Sequence, residues 1–114
     1  MTYKLLIHIN EDTKWNMLFS NVINFKLDMD SKSIDFDLVI VINGAAVSSL
    51  LNEAVLSNIT NSKASNITYK VCNNSLKGRN MDISNHLDLY EIVETSVVEI
   101  AERQLLDNFA YLKL

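Results

Sequence analysis

The stretch Phe36-Asp37-Leu38-Val39-Ile40-Val41-Ile42-Asn43 decides the fold. Its five consecutive aliphatic residues, Leu38 to Ile42, break the polar alternation of a half-exposed strand. A strand of this kind is buried on both faces, as in a parallel sheet sandwiched between helices. It is also far too short to cross a bilayer. Working outward, Gly44 follows, then a helix is expected from Ala46 to Asn58 with Val47, Leu50, Leu51, Ala54 and Val55 on one side. Upstream, Tyr3 to Ile9 reads as a strand. Asp12 reads as the N-cap of a helix whose stripe is Trp15, Leu18, Phe19, Val22 and Ile23, a core-packing pattern. That helix is expected to end near Leu27, with Asp28 to Asp35 as polar loop.

Downstream, Ile67 to Cys72 is a third strand, followed by a short helix from Asn73 to Arg79. Glu91 to Thr95 forms a fourth strand and Val97 to Leu106 the last helix, with Asn108 as its C-cap because asparagine tolerates left-handed backbone. Phe109 to Leu112 is the fifth strand. Strand and helix alternate with short connections, which implies right-handed β–α–β crossovers. The expected architecture is a three-layer α/β/α domain with a mostly parallel five-stranded sheet. In such sheets chemistry gathers at the carboxyl ends of the strands. Those ends carry His8 and Asn10, Asn43 and Gly44, Cys72 and Asn73, and Thr95 and Ser96.

The 114 residues fit a single domain, residues 1–114, without internal repeats or linkers. A hydrophobic content of 48% with 21% charged residues excludes a disordered chain. With a net charge of −4 and scattered basic residues, nucleic acid is not an expected partner. No membrane span or signal peptide is read, so a cytoplasmic protein is expected. Two histidines and one cysteine without ligand spacing predict no metal, and with only Gly44 and Gly78 no glycine-rich phosphate loop exists. No cofactor is expected.

Cys72, the only cysteine, lies where the third strand runs into its helix. Free N–H groups and the positive end of a helix dipole favour a thiolate there. Lys70, Lys77 and Arg79 flank it and are candidates to stabilise the anion. Ile67, Tyr69 and Val71 share one face of the strand, so Cys72 falls with Thr68 and Lys70, and partial solvent access is expected. The bland alternative is a small apolar residue packed at a strand end. His8 is a candidate to hydrogen-bond or exchange protons at the rim, whereas His86 lies in a loop. A cysteine–histidine acyl-transfer site would also need an orienting third group and an oxyanion hole, which no residue pattern specifies.

These features together resemble the DsrE/DsrF-like family of small intracellular sulfur-relay proteins. The likeness spans nearly the whole chain: the strand ending in His8, then Trp15 and Asn21-Val22-Ile23-Asn24; Asn43-Gly44-Ala45-Ala46-Val47; the cysteine segment Cys72-Asn73-Asn74-Ser75-Leu76-Lys77-Gly78-Arg79; and Glu102-Arg103-Gln104 through Phe109-Ala110-Tyr111-Leu112. Asn80 and Asn108 stand where glycine is expected in relatives, and both preserve access to positive φ. The resemblance implies a homo-oligomer, trimer or hexamer, in which Cys72 carries a persulfide between donor and acceptor proteins. It further implies supporting roles for His8, Asn43, Gly44, Asn73, Asn74, Lys77 and Arg79. Two other readings stand beside it: a non-enzymatic oligomeric module that binds a ligand or protein and merely packs Cys72, and a thiol redox sensor that would need a mixed or intersubunit disulfide.

Overall fold

In the computed structural model, which describes residues 1–114, five strands form one all-parallel sheet. They are β1 (Thr2–Ile9), β2 (Asp35–Ile42), β3 (Ile67–Cys72), β4 (Tyr90–Val93) and β5 (Ala110–Lys113), in spatial order β4-β3-β2-β1-β5. The helices are α1 (Trp15–Ser31), α2 (Glu53–Ser62), α3 (Asn73–Gly78) and α4 (Ser96–Asp107). From β1 to β4 the chain steps across the sheet in one direction, so right-handed crossovers place α1, α2 and α3 on the same face. The return from β4 to β5 runs the other way and carries α4 over the opposite face. The α/β fold is therefore the expected one.

The two faces differ in depth. On the α1 side, Ile7, Ile9, Ile40, Ile42, Tyr69 and Val71 meet Trp15, Leu18, Val22, Val47, Leu50, Val55, Ile59 and Leu76 in one large core. On the α4 side the buried aliphatic cluster is only Leu6, Val39 and Val41, packed against Ile100 and Phe109. The continuous aliphatic run of β2 is thus explained, since its alternate residues serve both cores. Lys70 on this second face pairs with Glu99 of α4 at 2.5 Å. Lys70 is thereby covered by α4 and does not face solvent freely.

Several expected boundaries move, each for a local reason. Asp12 does not cap α1. It begins a 3₁₀ turn, Asp12–Lys14, and its carboxylate accepts the Ser49 hydroxyl. The α1 helix passes Leu27 and reaches Ser31, because Met29 extends the buried stripe of Trp15, Leu18 and Val22 by two further turns. The polarity of Asp28 and Asp30 is that of a solvent face, laced by i,i+4 pairs Lys26–Asp30 and Lys32–Asp28, both at 2.8 Å. Ile23 and Leu27 lie exposed outside the stripe. The helix expected over Ala46–Asn58 is two pieces, a 3₁₀ segment Gly44–Ser49 and then α2. Asn52 divides them: its Oδ1 accepts the N–H groups of Ala54 and Val55 at 2.9 and 3.4 Å, making it an N-cap and leaving Leu51 exposed. Asn80 and Asn108 adopt positive φ, 52° and 61°, and Asn108 caps α4 as expected.

Candidate functional site

At the carboxyl edge of the sheet, β3 feeds α3 on one face while its neighbour β4 feeds α4 on the other. Adjacent strands whose connections leave in opposite directions open a crevice between them, the usual binding position in open α/β sheets. Cys72 ends β3 at this switch point, buried between Ser75 of α3 and Ser96 of α4.

Parallel pairing fixes the rest. Partners across a ladder point to the same face, so Leu6 brings Tyr111 of β5 onto the α4 side, where His8 also points. His8, Asn43 and Cys72 end β1, β2 and β3 on that side. The Ser96 N–H, the first of α4 and without an intrahelical partner, donates to Cys72 Sγ at 3.4 Å. The relevant helix start is therefore that of the 12-residue α4, and not only that of the six-residue α3 that follows Cys72 in sequence.

Burial pushes the Cys72 thiol up, but the hydroxyl and N–H of Ser96 and those of Ser75 outweigh it and bring it from 9.0 down to about 7. No charged side chain contributes to this lowering. Lys70 is committed to Glu99, and Arg79 reaches the Ser48 hydroxyl at 3.5 Å. Lys77 and Asn73 line a separate groove with Met81 and Ile83, and Asn74 is exposed and makes no hydrogen bond to the sulfur. The expected basic stabilisation of the thiolate is thus replaced by neutral donors. The expected partial access is corrected as well: Cys72 is 4% exposed, because α4 covers the face that it shares with Thr68 and Lys70.

His8 is 8% exposed. Its Nδ1 lies 2.7 Å from the Tyr111 hydroxyl and its Nε2 2.7 Å from Asn43 Oδ1. Asn43 Nδ2 donates to Ser96 Oγ at 2.8 Å, and the Gly44 N–H donates to Ser75 Oγ at 3.0 Å. Of the candidate residues, His8, Asn43, Gly44 and Cys72 come together, whereas Asn73, Asn74, Lys77 and Arg79 do not join them. Ser75, Ser96 and Tyr111 belong to the site but carry no motif of their own. Only the position of Ser96 at a strand's carboxyl end, and of Ser75 within the cysteine segment, marks them in the sequence. No cluster of three or more His, Cys, Asp or Glu side chains able to hold a metal is present.

Two consequences are measurable. Gly44 sits at φ +56°, and a Cβ there would meet Asn10 O at 3.2 Å. Gly44→Ala is expected to lower stability by about 1–2 kcal/mol and to raise the Cys72 pKa by displacing the Ser75 donor, readable by urea unfolding and thiol titration. For His8, burial lowers the pKa below 6.5, opposed by the Asn43 hydrogen bond and helped by the nearby Lys113 ammonium. As pH falls below 6.5, the unfolded chain takes up a proton that the native one refuses, so stability falls with it until the lower native pKa is passed. His8→Gln should lose that slope in urea titrations over the same range.

No helix is long and apolar enough to cross a membrane. No family model and no curated protein matches the chain. Among solved structures it is similar to MTH1491, a protein of unknown function from Methanobacterium thermoautotrophicum, with 24% identity over 98% of this chain and 99% of that one and a TM-score of 0.79. It is likewise similar to BT1422, a protein of unknown function from Bacteroides thetaiotaomicron, with 22% identity over 97% and 94% of the two chains and a TM-score of 0.72. At these identities the likeness establishes the shared α/β fold over the full length of the domain.

Proposed function

We propose that this chain is a DsrE/DsrF-like sulfur carrier whose single thiol, Cys72, holds a persulfide in a reducing compartment. The carrying observation is a thiol at the carboxyl end of β3 whose sulfur accepts the first N–H of α4 at 3.4 Å, an arrangement of uncharged donors that brings it down to about 7. A thiol near that value is substantially ionised at neutral pH yet remains a good nucleophile. The Cys72 thiolate attacks the outer sulfur of a donor persulfide, R–S–SH. The new Cys72 S–S bond forms as the donor S–S bond breaks, R–S⁻ departs, and Cys72–S–SH results. No oxidant is consumed. An acceptor thiolate or other nucleophile then removes the outer sulfur by the same displacement, restoring the Cys72 thiolate. Self-association into a trimer or hexamer accompanies this reading, supported by the exposed Val97, Val98, Leu105, Leu106 and Leu112 on α4 and β5.

The deep placement of Cys72 favours a second reading, a binding module in which the cysteine only packs. Intact mass after incubation with a small persulfide donor separates the two. A reducible gain of one sulfur atom mapping to Cys72 supports the carrier. No gain, together with alkylation of Cys72 only after unfolding, supports the module.

A further inference from the structure

We propose that Asn43 and Gly44 aim two serine hydroxyls at Cys72, and that Tyr111 at the far edge of the sheet fixes the direction of this donation through His8. The inference rests on the reading that Cys72 is the reacting group, and it assigns positioning roles to Tyr111, Ser75 and Ser96. Asn43 and Gly44 are consecutive, yet each sends an N–H to a different serine: Asn43 Nδ2 to Ser96 Oγ at 2.8 Å and Gly44 N–H to Ser75 Oγ at 3.0 Å. A hydroxyl whose oxygen already accepts keeps its one proton for another partner. The Ser96 residue held in this way sets its own backbone N–H on Cys72 Sγ at 3.4 Å, and both serines lower the thiol.

The direction is set further away. With its amide nitrogen committed to Ser96, Asn43 can only accept at Oδ1, so His8 Nε2 bears the proton across their 2.7 Å contact. In the neutral ring Nδ1 then accepts, and the Tyr111 hydroxyl donates to it across 2.7 Å. Every donor points one way, from Tyr111 to His8, Asn43, Ser96 and finally Cys72. Aligned hydrogen bonds polarise one another in a poorly hydrated site. Run backwards, the same chain would turn the Ser96 hydroxyl toward Asn43 and present its lone pairs to a thiolate. Protonation of His8 leaves the Nε2 donor toward Asn43 in place but puts a second N–H on Nδ1, which reverses the contact with Tyr111, so the relay from Tyr111 belongs to the neutral ring. The charged groups nearest this row are Lys113, bonded to Asn10 Oδ1 at 2.9 Å, and the Lys70–Glu99 pair.

The test is the titration of Cys72 by thiolate ultraviolet absorbance, with Cys72→Ser as the blank. It needs neither reagent access nor sulfur uptake. Asn43→Asp, which cannot donate to Ser96, is expected to raise the midpoint by about one to two units, the scale of one hydrogen bond to an ionised group. Tyr111→Phe deletes a hydroxyl from a residue 41% exposed, and therefore keeps the fold. It should raise the midpoint by a smaller step, and by nothing at all when Ser96 is already alanine. An unmoved midpoint in Tyr111→Phe, or an equal step in the Ser96→Ala background, overturns the relay. A protein that loads sulfur while its midpoint ignores Tyr111 refutes the relay alone. One that shows the coupled shifts but takes up no sulfur refutes the carrier reading alone.

Discussion

Cys72→Ser is expected to take up no sulfur at all from a persulfide donor, where the native chain gains one reducible sulfur atom. A serine hydroxyl fits the same crevice and accepts the same N–H of Ser96, so the fold is retained while the nucleophile is lost. The substitution also erases a pH dependence. The native thiol loses its proton at about 7, whereas in the unfolded chain it returns toward 9.0. Between those values the unfolded state holds a proton that the native state has released, so stability rises with pH from about 7 toward 9 and is lost again as pH falls through about 7. Urea unfolding across that window should show the rise in the native protein and a flat line in Cys72→Ser. Sulfur uptake by the variant would remove Cys72 from the reaction altogether.

Ile40→Ala carries the largest expected cost in stability, about 3–5 kcal/mol. Ile40 is fully buried in β2, between Ile7 of β1 and Tyr69 of β3 in register, and faces the deep core under α1 and α2. Neighbouring strands are fixed by their ladders and cannot collapse into the void, which places the site toward the upper end of the range. Against a typical total of about 5–15 kcal/mol this is a substantial fraction, and thermal unfolding should move down by more than about 10 °C. The thiol titration should stay where it is, because the sulfur lies on the opposite face. A loss below about 1 kcal/mol would mean that the two cores are not arranged as described.

That contrast between faces explains what the sequence discloses and what it conceals. The strands are legible because Leu38–Ile42 and the alternation of Ile67–Val71 follow from local burial alone. His8, Asn43, Gly44 and Cys72 are legible together because parallel strands must end at one edge. The access of Cys72 is not legible, since the cover comes from α4 and depends on a crossover spanning the whole sheet. No local pattern around residue 72 encodes it. Lys77 and Arg79 attract notice through proximity in sequence, but the short α3 helix carries them away from the sulfur. The place of Tyr111 in the site is hidden for the converse reason: 103 residues separate it from His8, and only the pairing of β5 with β1 joins them. The ends of α1 and α2 were hidden by polar residues that serve a helix surface in one case and a cap in the other.

The first and last strands lie side by side, so the network around the sulfur closes only when the two ends of the sheet sequence meet. Such distant pairings are the slow part of folding, because loop-closure entropy is lost before their contacts form. A chain with β1 to β4 in place and β5 still undocked has its cysteine but lacks the Tyr111 anchor. If Tyr111 sets the acidity of Cys72 as proposed, the thiol titration doubles as a reporter of whether β5 is docked against β1.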